Sequence, residues 1–428
     1  MAPMFQPALS RELEATDDWT FNGASTRELT HCYHNYPARM IPQVAAKLLE
    51  MFGTKTRLLF DPYAGSGTSL VEALIRGISS AGTDLNPLAR LIATAKISTP
   101  NLKKLDEQIR IFYRFIAKSP KNISIKVPME IHGITRLDFW FKPNVINNLA
   151  LLKIFIKRIE DESIRLFFQV AFSETVRDSS NTRSDEFKLY RYDTKTLEKF
   201  NPDVLGIMMQ KLKRNRVGLE HFLTLMGKFP QQPTRTVYDF NTVDGIPLYT
   251  IEPSSVDIVI TSPPYGDSHT TVAYGQYSRL SAAWLDLNEP HKIDNKLMGG
   301  KNCKEIPNFQ CLKLNIAIDK IRNEDEKRAM EVASFYIDLD KSIKNVSMLV
   351  RRGGYACYVV GNRKVKGIIL PTDNAVRSFF EQYDFGYVDT FIRSIPNKRM
   401  PNKNSPSNIK GILENTMANE YVVVMRRH

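Results

Sequence analysis

The stretch Asp257-Ile-Val-Ile-Thr-Ser-Pro-Pro-Tyr265 restricts the possible folds more than any other part of this chain. An apolar run reads as a buried strand, and it stops abruptly at Thr261, Ser262, Pro263, Pro264 and Tyr265. Two consecutive prolines fix φ and remove two backbone donors, so the loop cannot continue a central strand. It presents carbonyls and flanking side chains in one preset geometry instead. That geometry suits a planar ligand bearing an NH2 group: the Ser262 hydroxyl and the Pro263 carbonyl can each accept one of its hydrogens, and the Tyr265 ring offers a stacking surface. A turn with a packed tyrosine is the plain alternative for an isolated Pro-Pro-Tyr, so the rest of the chain has to decide.

A second unit bears on that choice. Leu58-Leu-Phe-Asp-Pro-Tyr-Ala-Gly-Ser-Gly-Thr-Ser69 is a short apolar strand entering a glycine loop, and residues 69–76 continue with helical spacing. Strand, glycine turn and helix open a nucleotide-binding α/β domain, where Gly65 and Gly67 let the backbone approach a ligand and the helix N-terminus aims amide donors at it. Leu70 occupies the place where a dinucleotide fingerprint has its third Gly or Ala, which counts against a nicotinamide enzyme. Ile78 to Asp84 reads as the next strand, ending in an acid suited to both hydroxyls of a ribose, and Asn86-Pro87 starts a helix. Further along, Thr236 to Asn241 is a strand edge carrying Asp239. Strands are also expected near Gly353–Gly361 and Glu420–Met425, with helices near Tyr277–Leu285 and Ala329–Leu349.

Between these parts the character changes. Residues 101–233 show amphipathic helical patterns and no glycine loop, which predicts a mainly helical insert between a cofactor half (31–100) and a catalytic half (234–428). Two basic segments stand out in it, Arg177–Arg191 and Lys211-Leu-Lys-Arg-Asn-Arg216; the second suits either a phosphate backbone or a solvated helix face. Residues 1–30 are polar and aperiodic and read as an N-terminal arm, and 286–325 as a polar loop region. His31 and His34 open the loop that runs to Pro37 and Pro42 and read as ordinary hydrogen-bonded residues. The chain has 428 residues, 43% of them hydrophobic, enough to bury a large core. Its 59 Lys+Arg against 46 Asp+Glu leave a formal charge of +13, which favours a polyanionic partner. The four cysteines form no CxxC pair, so neither a zinc site nor a disulfide framework is expected. No apolar run approaches membrane-spanning length, and no signal-peptide pattern opens the chain, which predicts a cytoplasmic protein.

Taken together, these motifs resemble those of the amino-methylating DNA methyltransferases, which act on cytosine N4 or adenine N6. The resemblance covers His31 to Pro42, Asp61-Pro-Tyr-Ala-Gly-Ser-Gly-Thr68, Thr83-Asp-Leu-Asn-Pro87, Thr261-Ser-Pro-Pro-Tyr265, Ile395–Met400 and the terminal Glu420 strand. It implies a Rossmann-like, seven-stranded S-adenosylmethionine-dependent methyltransferase sheet. It further implies a cofactor site at Tyr36, Asp61, Tyr63, Ala64, Gly65, Ser66, Gly67, Thr68, Asp84, Leu85, Asn86 and Asp239, with catalysis at Ser262, Pro263, Pro264 and Tyr265. Double-stranded DNA is the implied substrate, with a separate restriction endonuclease as a companion. Serine at the head of the catalytic loop resembles the cytosine-N4 branch. Target recognition is expected first in the insert and second in 286–325. Adenine-N6 methylation, methylation of an RNA base amine, and a catalytically inactive nucleic-acid binder are the competing readings.

Overall fold

The computed structural model describes residues 19–119, 125–128, 130–131, 133–183, 188–266, 273–287, 293–395, 403–404, 414–415 and 419–428. Its centre is a seven-stranded sheet of β1 (Leu58–Asp61), β2 (Ser79–Thr83), β3 (Arg235–Tyr238), β4 (Val256–Thr261), β5 (Val350–Val360), β6 (Phe385–Ser394) and β7 (Asn419–Arg427). The strand order is β3-β2-β1-β4-β5-β7-β6, and only β7 runs antiparallel to its neighbours. This is the sheet the sequence resemblance implies.

Alternation along the strands divides the core in two. Leu59, Ile258, Ile260, Cys357 and Val359 face one side, while Phe60, Val259, Ala356, Tyr358 and Val360 face the other. Every second side chain of a pleated strand points the same way, so apolar runs here must be covered on both faces. The first face is covered by α1 (Pro42–Phe52), α2 (Thr68–Leu74), α3 (Pro87–Ile97) and the helices that follow them. These are α4 (Leu102–Lys118), α5 (Leu137–Trp140), α6 (Pro143–Lys157), α7 (Glu162–Ser179), α9 (Val204–Met226) and α10 (Tyr274–Trp284), while the short α8 (Thr194–Lys199) buries no residue. Helices α11 (Leu312–Glu324), α12 (Glu326–Ser347) and α13 (Thr372–Glu381) cover the second.

The stretch that carries α4 to α9 is built into the first core. Its α7 packs against α3, α6, α9 and α10. A buried polar knot fastens it: Glu174 accepts from Lys211 Nζ at 2.9 Å, from Arg214 Nη2 at 2.7 Å and from the Asn35 amide at 3.2 Å, while Lys211 also reaches Asp178 at 2.6 Å. Arg216 forks onto Asp106 at 2.6 and 3.0 Å. The Lys211–Arg216 run is thus neither a phosphate track nor a solvated face; Lys213 is exposed, but Lys211 is buried and both arginines are committed to carboxylates inside the chain.

Two further expectations change. The end of the N-terminal arm is folded: Trp19 is buried, stacks on Phe391 with ring centroids 4.8 Å apart, and carries Lys47 Nζ 4.5 Å above its ring. Asp17 and Asp18 lie outside the described residues, as do 184–187 and 396–400. The region 286–325 contains α11, whose Leu314, Ala317, Ile318 and Ile321 are buried on one side at helical spacing. Among the described residues, no helix is long and apolar enough to cross a membrane.

Burial acts to raise the Glu174 pKa, but the charges around it, Lys211 and Arg214 among them, hold it down to about 2. The stability Glu174 confers is therefore present above its ordinary value near 4.5 and is lost as the pH falls towards 2. Glu174→Gln takes from Arg214 its carboxylate partner and leaves Lys211 only Asp178, and should destabilise the protein by roughly 3 kcal/mol or more at neutral pH. Urea unfolding measures this, and a loss under about 1 kcal/mol would contradict the arrangement.

Candidate active site

A cleft enclosing about 880 Å³, its open mouth included, sits at the carboxyl ends of β1, β2, β3 and β4. The strand order reverses between β1 and β4, and open α/β sheets leave a ligand crevice at such a point. The glycine loop forms its floor. Gly67 donates to the Ala64 carbonyl at 2.7 Å with φ +75°, and a Cβ there would lie 2.9 Å from the Ala93 methyl, so both turn and packing demand glycine. Gly65, at φ +50°, donates its amide to Asp84 Oδ2 at 2.9 Å. From beneath, buried Lys96 donates to the Ser66 carbonyl at 2.9 Å, its pKa held well below the usual lysine value by burial and then by Arg39.

Asp84 ends β2 facing this loop. Its other oxygen accepts from the Asn86 amide at 2.7 Å, leaving the remaining lone pairs of both oxygens for a ligand. Burial pushes its pKa up, against the two amide bonds and Arg90. Arg90 fixes the strand end by donating to the carbonyls of Asp84 and Leu85 at 2.8 and 2.9 Å. Asn86 caps α3 through the Leu88 amide and donates to Tyr36 Oη at 3.0 Å and Ser278 Oγ at 2.7 Å. Tyr36 in turn stacks on Tyr274, 5.9 Å between centroids. Ser66 Oγ is buried on the cleft wall with no partner among the described residues, the kind of hydroxyl a polar ligand completes.

Asp61, at the end of β1, joins this half to the catalytic loop. It accepts from Thr261 Oγ1 at 2.6 Å, from the Tyr63 amide at 3.0 Å and from Ser69 Oγ. Thr261 is the last residue of β4, so Ser262 is placed by the hydrogen bond that Thr261 donates to the strand carrying the glycine loop. Ser262 and Pro264 line the same cleft as Asp61, Tyr63–Ser66, Thr68 and Asp84–Asn86. Tyr265 stands beside Ser262, its hydroxyl 3.2 Å from Ser262 Oγ and 2.9 Å from Glu420 Oε1.

Most of the sequence-predicted residues are thus brought together, but Asp239 is not. It is exposed and off the cleft wall, which Phe240, Asn241 and Thr242 line instead. The chain leaves β3 at Tyr238, and the residues that turn inward come just after the acid. Pro263 is buried behind the lining and Gly67 lies under it. The wall also holds Pro37–Met40, which lie in the His31–Pro42 motif, and Tyr274, Leu297 and Met298, none of which the sequence marks as a site residue. His31 and His34 are both buried; His31 Nε2 lies 2.9 Å from Glu72 Oε1, and His34 Nδ1 contacts the Asn35 carbonyl. Burial is the main cause that lowers each pKa to about 4, so at neutral pH both are uncharged structural residues.

Burial raises the Asp61 pKa to about 6, against the bonds from Ser69, Thr261 and Tyr63 that lower it. The sign follows: a carboxyl whose pKa rises on folding adds stability that is complete below about 3.8 and is lost as the pH climbs through about 6. The stability of the wild type minus that of Asp61→Asn should therefore fall between pH 4 and 6 and level off above 7. Denaturation at several pH values checks this, and a difference that grows with pH would contradict it.

No family profile matches the chain. It is 40% identical over 440 residues to the Type II methyltransferase M.MvaI of Kocuria varians, an alignment covering 98% of this chain and 96% of the relative. The Type II methyltransferase M.BsoBI of Geobacillus stearothermophilus is 26% identical across 62% of this chain and 54% of its own length. Solved structures align more loosely. TTHA0409 of Thermus thermophilus, complexed with S-adenosyl-L-methionine, matches 42% of this chain and 50% of its own at 16% identity and a TM-score of 0.20. The rRNA methyltransferase aviRa of Streptomyces viridochromogenes matches 92% and 88% at 10% identity and a TM-score of 0.31. With a relative of this identity along nearly its whole length, the chain belongs to the Type II methyltransferases, within the amino-methylating DNA methyltransferase family.

Proposed function

We propose that this protein methylates the exocyclic amine of a flipped base at a specific site in double-stranded DNA, with cytosine N4 as the acceptor. The methyl donor is S-adenosylmethionine, which supplies an electrophilic methyl group on a sulfonium. The residues present fit it. The remaining lone pairs of Asp84 suit the ribose hydroxyls, Phe240 and Asn241 offer a ring and an amide for the adenine, and the unpartnered Ser66 hydroxyl suits a polar group of the amino-acid end.

One observation carries the reading: Ser262 opens from the end of β4 onto the same cleft as the glycine loop and Asp84. A base amine is a poor nucleophile because its lone pair is delocalised into the ring. Accepting its two hydrogens on Ser262 Oγ and the Pro263 carbonyl localises that pair on nitrogen, and the rigid Pro-Pro loop holds it in line. No covalent nucleophile is required. Stacking on Tyr265 offsets part of the few kcal/mol of unstacking. The cytosine assignment rests on Ser262, since adenine-modifying relatives more often carry Asp or Asn at that place.

Of the two candidate recognition regions, 286–325 contributes Leu297 and Met298 to the cleft wall, whereas no described residue of 101–233 lines it. This supports 286–325 as the region beside the target base and the insert as its scaffold. A Type II methyltransferase of this kind works in restriction-modification, and a separate cognate endonuclease is the expected companion.

Asp84→Ala should weaken S-adenosylmethionine binding at least about tenfold, the roughly 1.4 kcal/mol expected when paired hydroxyls lose a charged acceptor. Unchanged affinity by calorimetry would remove Asp84 from the site. Mass spectrometry of digested, enzyme-treated DNA should find N4-methylcytosine. N6-methyladenine as the sole product would overturn the cytosine assignment and leave the cofactor site intact.

A further inference from the structure

The catalytic loop is connected to the last strand of the sheet by a chain of hydrogen bonds whose direction is fixed. Tyr265 Oη and Glu420 Oε1 are 2.9 Å apart. A carboxylate accepts only, and a phenol has one proton, so that proton points at Glu420. Burial, and then the negative charge of Glu420, hold the Tyr265 pKa well above its usual value, so the phenol keeps its proton. The 3.2 Å contact between Ser262 Oγ and Tyr265 Oη must then use the serine proton. Glu420 is itself held, since Arg393 Nη1 donates to its second oxygen and Arg393 Nε donates to the Trp19 carbonyl at 3.0 Å.

This direction matters because a serine hydroxyl has two ways to meet a base amine. Pointing its proton at the nitrogen would engage the lone pair that has to attack the methyl group; presenting its own lone pairs to an amine hydrogen releases it. We propose that Glu420 and Tyr265 are positioning residues that turn the Ser262 hydroxyl away from the target amine, making Ser262 Oγ an acceptor in the catalytic complex. A carboxylate at this place would need no such device; a hydroxyl does. The 3.2 Å separation is long for two hydroxyls, which fits a contact whose task is to aim a proton rather than to add stability. Glu420 lies 155 residues from Tyr265, so folding of the chain end onto β5 and β6 completes the catalytic loop.

The inference rests on the proposed methyl transfer to DNA, and a double-mutant cycle of Tyr265→Phe and Ser262→Ala separates the two. The phenylalanine keeps the stacking ring and removes only the hydroxyl. Radiolabelled methyl transfer to DNA should show Tyr265→Phe lowering kcat about tenfold, with KM for DNA and for S-adenosylmethionine within about twofold of wild type. In the Ser262→Ala background the same change should cost less than about twofold, because there is no longer a hydroxyl to turn. Calorimetric binding of S-adenosylmethionine to every variant shows that each is folded. Wild-type kcat in Tyr265→Phe, a loss confined to KM, or fully additive losses would each overturn the assignment while leaving the functional reading in place. Absence of methyl transfer to DNA by the wild type would overturn the functional reading, and this one with it.

Discussion

A buried carboxylate holds the two halves of this site together. Asp61 stands where β1 ends and accepts from the head of the glycine loop, from α2 and from the last residue of β4, so one side chain sets the distance between the cofactor floor and Ser262. Neither loop is placed independently. Methyl transfer of the proposed kind has little covalent work for the protein and depends on alignment, where displacement of about 1 Å is costly. A bond network that spans the switch point of the sheet suits that demand better than two loops packed separately.

The polar interactions farther out serve the same end. Tyr36 is held by Asn86 and stacked on Tyr274, and the neighbouring Tyr277 donates to the Asn35 carbonyl while the Arg177 guanidinium lies 3.7 Å from its ring centroid. Arg177 comes from α7, so the insert braces the wall of the cleft from behind. The knot around Glu174 does the same for the loop carrying Asn35 and Tyr36. The positive charge of the insert is thus partly spent inside the fold, and a phosphate-binding surface has to be drawn from other cations of the +13 chain.

What could be read from the sequence was local. Pro263 and Pro264 forbid a strand, Gly67 requires a left-handed turn, and the apolar runs of β4 and β5 ask for cover on both faces; each consequence belongs to a few neighbouring residues. What could not be read depended on partners far along the chain. Lys211 looks like a surface cation until Glu174, 37 residues earlier, is brought under it. The direction of the Ser262 hydroxyl depends on Glu420, and the burial of Trp19 on Phe391. Asp239 stands off the cleft wall for a smaller reason: an acid after a strand is a fair ribose or base ligand, but the chain turns inward one residue later, at Phe240. Helix α11 was obscured because only one of its sides is apolar, within a lysine-containing stretch.

In the proposed methyl transfer, the target amine is bound by Ser262 Oγ and the Pro263 carbonyl beside the donor cleft. A crystal structure of the protein with a non-reactive S-adenosylmethionine analogue and a duplex carrying its methylation site tests this most directly. The expected complex has a base outside the helix, its ring against Tyr265 and its exocyclic nitrogen within hydrogen-bonding distance, roughly 3 Å, of both acceptors. A target base still stacked in the duplex, or an amine engaged by other residues with Ser262 turned away, would contradict it.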